Sequence, residues 1–204
     1  MSDEGAKASR RRRGGALERK LGDVAKGAVA GMCGGFVASV VMNQFQQLWQ
    51  KITEGEERGH GAQSMQHGSP RGGAARELRE SGSESADDDA TERVASVVAE
   101  KVFDRRLTEG EKEAAGTVVH YAFGVGTGAI YGAAAELMPG AAAGAGLPLG
   151  AAVWLAADEG LVPALGLSKS PAEYPLSTHA YSLASHFVYG LTTELVRRFV
   201  RERL

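Results

Sequence analysis

His120, Asp158, Glu159 and His186 are ionisable side chains set within or at the end of long apolar runs. Their chemistry is that of protons and cations. Imidazole changes charge near neutral pH, and a carboxylate beside it can share its proton. Two imidazoles and a carboxylate, here His120, His186 and Asp158, can also ligate a divalent metal. Asn43 adds an amide late in the first apolar run. The plainer role for the same residues is structural, as interhelical hydrogen bonds that fix packing. A second set, Glu136, Glu194, Arg197 and Arg198, lies toward the other ends of two runs. Glu194 and Arg197 are three apart, a spacing at which helical side chains pair.

The elements that must hold these residues are apolar and glycine-rich. Four runs, 24–49, 114–138, 141–161 and 179–199, are separated by charged or turn-rich segments. A hydrocarbon core of about 30 Å needs roughly twenty helical residues, which each run supplies. The overall net charge of −2 and mean hydropathy of −0.20 average over segregated charges. Gly27, Gly31 and Gly35 recur every fourth residue in the first run, as do Gly124, Gly128 and Gly132 in the second, and Gly144 opens the third. In water each Gly weakens a helix by about 1 kcal/mol relative to Ala. In lipid, small residues at that spacing let two helices approach closely. The expected fold is all-α: an integral membrane four-helix bundle with Gly-rich helix interfaces. A soluble Ala/Gly-rich bundle is the competing reading.

Residues 1–22 form a basic tail with Arg10 to Arg13, Arg19 and Lys20. They read as a cytoplasmic flank obeying the positive-inside rule; with no aromatic or structured partner for the arginines, no nucleic acid is expected. The run that follows is too long for a signal peptide and reads as an uncleaved anchor. Trp49 suits the membrane interface. Residues 50–90 have almost no large apolar side chains and are expected to be a disordered extracytoplasmic loop. In 91–107, Val94, Val97, Val98 and Val102 share a face, an amphipathic helix for the membrane surface or the bundle end. Thr108 and Glu111 make a capping box that starts helix two. Pro139 and Gly140 turn that helix back into an antiparallel neighbour. In helix three, Gly144, Ala151 and Asp158 are heptad-spaced and share a face, and Pro148 is a candidate kink. Residues 162–178 are a loop, and 200–204 a short basic tail. Both tails are basic, so four spans place both ends in the cytoplasm.

Depth then groups the polar residues. Helix two enters near Ala114, which puts His120 about 9 Å deep at 1.5 Å per residue. Helix four enters near His179, which puts His186 roughly 10 Å deep. Asn43, His120, Asp158 or Glu159, and His186 therefore share an outer layer, and Glu136, Glu194, Arg197 and Arg198 an inner one. Cys33 is the single cysteine, so neither an intrachain disulfide nor a Cys-based metal site is available. The GVGTG at Gly124 lacks the Lys-Ser/Thr of a phosphate loop, and Ser182, Ser185 and His186 lack a nucleophile elbow. No enzyme and no cofactor are expected.

At these residues the chain resembles the YagU-like family of bacterial inner-membrane proteins, whose activity is unassigned. The matching pieces are His120, Phe123, Tyr131, Glu136 and Pro139 in HYAFGVGTGAIYGAAAELMP, PALGL from Pro163, and His186, Val188, Glu194, Arg197 and Arg198 in HFVYGLTTELVRR. The likeness covers 114–200 well and 24–49 weakly. A member of that family carries His where Asp158 stands, which puts a strict three-histidine site in doubt here. The resemblance implies four spans of a bacterial plasma membrane and supplies no catalytic residue. The functions expected are proton or ion movement by the outer layer, a non-catalytic scaffold, or a membrane metalloprotein. The lipid bilayer is the expected partner, with a homo-oligomer through the glycine faces.

Overall fold

A computed structural model describes the backbone of residues 3–54, 90–166 and 170–204, and their side chains except those of 3–13, 53, 54 and 139. Nearly all of the 50–90 loop lies outside the described residues. The described elements are all helical: α1 (Asp3–Glu54), α2 (Ala90–Phe103), α3 (Glu109–Leu137), a 3-10 turn (Pro139–Ala142), α4 (Leu147–Val153), a π-helical stretch (Trp154–Leu161), α5 (Val162–Ala164), a 3-10 turn (Pro171–Glu173) and α6 (Leu176–Arg201).

α1 extends well beyond the expected 24–49, because the tail ahead of it is rich in Ala, Arg, Lys, Leu and Glu, strong helix formers. It is also the central element. α3 and α6 both run antiparallel to it on different faces. Gly27, Gly31 and Gly35 sit against Gly132, Gly128 and Gly124 of α3, and Gly34 sits against the Thr193 backbone of α6. Further along, Phe36 meets Tyr121 and Trp49 meets Tyr181. α2 packs on α3 and buries Ala95 and Ala99, while Val97, Val98 and Val102 stay exposed. The expected valine face is therefore not the one packed on the bundle; the smaller alanines allow the closer approach.

α3 begins at the capping box of Thr108 and Glu111. The Thr108 backbone N–H donates to Glu111 at 2.9 Å. That bond, with help from the Thr108 hydroxyl and Arg105, holds the Glu111 carboxyl below its ordinary range. A carboxyl with a depressed value stabilises the cap at pH above the ordinary carboxylate range, and that contribution is lost as pH falls through the lowered value. Amide exchange in the first turn of α3 is expected to accelerate as pH falls through that window, beyond the intrinsic change, and Glu111→Gln is expected to remove the pH dependence.

The third run departs most from expectation. Its helix starts at Leu147 rather than 141, with Pro148 in the first turn, where a missing N–H costs nothing. Gly144 is not a packing residue on a helix face. It sits in a turn at φ +77°, against the Pro148 ring, so the supposed face of Gly144, Ala151 and Asp158 does not exist. Nor does this segment form a hairpin with α3. It packs antiparallel on α6, with Gly146 against Gly190 and Gly150 against the His186 backbone. Gly146 caps the helix at φ +86° and abuts the Gly190 carbonyl, a conformation and a contact that both exclude a Cβ.

The π-helical stretch has a local cause. Pro163 lacks an N–H, and in a regular α-helix its ring would crowd the carbonyl four residues back. Widening the preceding turns relieves this, and Val162 N–H bonds to the Ala157 carbonyl instead. The widened turns carry Asp158 and Glu159. α6 begins at Leu176, ahead of the expected 179, after a turn capped by Ser170 and Glu173.

Apart from Met42, the interior is built of small residues, tyrosines and polar or charged side chains. Ala30, Ala38, Met42, Tyr131 and Tyr189 are buried beside Ser39, Gln46, His120, Asp158, Ser182, Ser185, His186, Thr193, Glu194 and Arg197. Large apolar side chains point outward, among them Met32, Phe36, Leu48, Val118, Phe123, Ile130, Leu155, Leu195 and Phe199. One helix among the described residues is long and apolar enough to cross a membrane, over Gly14–Ile52. A core helix of a soluble protein can pass the same test of length and composition. α3 owes its apolar character to Gly and Ala, and α6 carries His, Glu and Arg.

Candidate functional site

The outer polar residues fall into two linked groups. On the α1–α3 seam, the Asn43 side-chain amide donates to the Tyr121 hydroxyl at 3.2 Å. His120, itself buried, stands edge-on to the Tyr121 ring at 5.5 Å. Between the π-helical stretch and α6, the Ser182 hydroxyl donates to Asp158 Oδ2. His186 Nδ1 lies 3.7 Å from the same oxygen and 2.9 Å from the Ser182 carbonyl oxygen. A carbonyl only accepts, so Nδ1 carries the hydrogen, and Nε2 holds the lone pair of the neutral ring. The side chains of Asp158 and His186 are 4% and 3% exposed, which removes the pair from bulk solvent.

A hydrogen bond joins α6 to α3 near both groups. Tyr189, just beyond His186 on α6, donates to the Gly124 carbonyl, just beyond His120 on α3, at 2.6 Å. Glu159 forms a separate pair with His179, at 2.6 Å between Oε1 and Nδ1. Asp158 and Glu159, expected as alternatives, are thus both engaged, each with its own histidine. His179 was noted on helix four but not assigned to the layer. Its signal was the seven-residue spacing to His186, which puts both on one face of α6.

Among the described residues no three His, Cys, Asp or Glu side chains are grouped to hold a metal ion. The candidate ligand set His120, Asp158 and His186 is not assembled as one: Asp158 and His186 meet at 3.7 Å, while His120 stands against Tyr121 on α3.

The inner group is more densely bonded. Glu194, 1% exposed, accepts from the Tyr131 hydroxyl at 2.9 Å and from Arg197 Nε and Nη2 at 2.7 and 2.9 Å. Arg198 Nε donates to its other side, and Arg198 Nη2 reaches the Ala142 carbonyl at 3.3 Å. Glu136 accepts from Arg201 at 2.7 Å, and Arg201 also pairs with Asp23 of α1 at 3.0 Å. The bond to Glu136 holds the Arg201 guanidinium above its ordinary range. This group ties α1, α3, the turn after α3 and α6 at one end of the bundle. Tyr131, Arg201 and Asp23 were not singled out for it; Arg201 and Arg197 lie four apart, on one face of α6.

These elements and sites define an all-helical protein with ion pairs inside and apolar side chains outside. Residues 98–195 match the model of a family described as a protein of unknown function (DUF1440). The match covers just under half of the chain. It includes His120, Glu136, Asp158, Glu159, His179, His186 and Glu194, and it leaves out α1 and the arginines after 195. No curated protein and no solved structure matches the chain.

Proposed function

We propose that the chain is an integral membrane protein that crosses the lipid bilayer four times, through α1, α3, the 147–164 segment and α6. Within it, the outer carboxylate–imidazole layer moves protons or small cations. The observation that carries this reading is the inverted distribution of side chains. Among the described residues, glycines aside, eleven buried residues are polar or charged and seven are apolar, and large apolar residues face outward along all four segments. In water such an exterior is an association surface; in lipid it is the ordinary one, and ionisable groups within spans turn inward. The 147–164 stretch spans at most about 27 Å at the α-helical 1.5 Å per residue, and less through its π-helical turns, somewhat short of a hydrocarbon core of about 30 Å. Basic residues at the α1 start and the α6 end support cytoplasmic termini, in a bacterial plasma membrane by the resemblance.

The scaffold reading is favoured for the inner group alone. Glu194 is saturated by Tyr131, Arg197 and Arg198, which leaves no lone pair free for a moving ion. The Asp158–His186 pair is looser at 3.7 Å, and the Nε2 of His186 is not used by either of the contacts described.

The experiment is purified protein in sealed vesicles carrying a pH dye, with proton flux driven by a potassium diffusion potential. His186→Gln and His120→Gln are made separately. Loss of flux with unchanged thermal stability supports the pathway. Unchanged flux with lowered stability supports a scaffold throughout.

A further inference from the structure

Resting on that reading, we infer that His179 and Glu159 form the proton-loading site of the pathway and that the Asp158–Ser182–His186 cluster is its recipient. The hydrogen-bond partners of His179 require a shared proton. Its Nε2 lies 3.0 Å from the Pro171 carbonyl oxygen, which can only accept, so Nε2 carries a hydrogen. Its Nδ1 lies 2.6 Å from Glu159 Oε1. A bare nitrogen lone pair facing a carboxylate oxygen at that distance is repulsive. One proton must therefore lie between them, either on Nδ1 as imidazolium or on Oε1 as a carboxylic acid. Both states have the same total charge.

The pair is placed to exchange that proton. The His179 and Glu159 side chains are 19% and 13% exposed, against 3% and 4% for His186 and Asp158. Half-buried thus precedes buried on both elements: Glu159 adjoins Asp158 in the widened π-helical turns, and His179 lies two turns before His186 on α6. Ser182, donating to Asp158, stands between the two histidines along α6. The groups set around His179 are Glu159, the Pro171 carbonyl, the Tyr174 backbone and the 171–173 turn, whose Glu173 is engaged in its own cap with Ser170.

Loading is a simple transfer. A hydronium ion outside gives one proton to the unloaded pair, neutral His179 and Glu159 carboxylate, and leaves as water, and the Nδ1–Oε1 contact closes. The proton then passes to the second cluster, which gains one positive charge as the first pair returns to its unloaded charge. No oxidant or other reactant is needed.

The test uses full-length protein in the same vesicle assay. His179→Gln and Glu159→Gln are each expected to lower proton flux by about tenfold to a hundredfold, the lower part of what a positioned acid–base group contributes and below. Free imidazole added on the His179 side is expected to restore most of the flux in His179→Gln, because a diffusing base replaces a surface donor. It is expected to leave His186→Gln unrestored, since that site is closed to solvent. Thermal stability is read in parallel for every variant. Flux in the unaltered protein with equal flux in both loading-site variants overturns this inference alone. So does a loss in folded His179→Gln that imidazole fails to restore. Absence of flux from the unaltered protein overturns the underlying proton-pathway reading as well.

Discussion

Glu194→Ala is expected to destabilise the protein by about 3–5 kcal/mol, the usual cost of removing one partner of a buried ion pair. Glu194 is 1% exposed and Arg197 7%. With the carboxylate gone, the Arg197 guanidinium stays inside the bundle without its main counter-charge, and the Tyr131 hydroxyl loses its acceptor. Arg198 is affected less, because its side chain is 54% exposed and reaches solvent. The control is Arg201→Ala. Its pairs with Glu136 and Asp23 lie at the rim, where an ion pair contributes about 0–1 kcal/mol. Denaturant or thermal unfolding in mild detergent, followed by circular dichroism, measures both. Equal effects of the two substitutions would show that the inner group is not a buried lock.

The second large effect is expected at Gly128. A Cβ built on it falls closer than 3.0 Å to the Gly31 carbonyl oxygen and to Gly35 backbone atoms, and one built on Gly31 meets the Gly128 carbonyl in return. These neighbours are main chain and cannot swing aside. Gly128→Val therefore forces α1 and α3 apart along the whole Gly27–Gly35 contact. Overpacking of this kind costs about 1–3 kcal/mol, at times more. Gly126→Val is the matched control. It lies on the same helix with nothing within 4 Å of its Cβ position, and Val is a better helix former than Gly by a few tenths of a kcal/mol. Protein yield and melting temperature should fall for Gly128→Val and hold for Gly126→Val.

What the chain disclosed before its structure depended on whether the signal was local. The every-fourth glycines of α1 and α3 are a direct record of a close helix seam, and the spacing of four names both sides of it. A matching record of the α4–α6 seam exists in Gly146, Gly150 and Gly190. It was obscured by Gly144, which continues the same count but serves a turn at positive φ. Composition cannot separate a glycine needed for its backbone angle from one needed for its size. The polar residues were legible as types and approximate depths, since ionisable groups inside apolar runs are rare and costly. Their pairing was not, because it turns on rotation about a helix axis. The π-helical widening before Pro163 changes that rotation, so a regular 3.6-residue wheel misplaces Asp158 and Glu159. The association of the third segment with α6 rather than α3 was hidden for another reason. The chain after Pro139 continues through seven more residues, 140–146, before α4, which frees the segment to cross over.

The central claim is that the apolar exterior faces lipid. Cys33, the single cysteine, tests it directly, because it is exposed on the outer side of α1, roughly 14 Å into the run from Val24 at 1.5 Å per residue. A nitroxide label attached there in detergent, followed by reconstitution into vesicles, can be challenged with oxygen, which concentrates in hydrocarbon, and with a charged nickel chelate, which stays in water. The account predicts strong relaxation by oxygen and almost none by the chelate. Relaxation by the chelate as strong as that of a label on a water-exposed helix would contradict it.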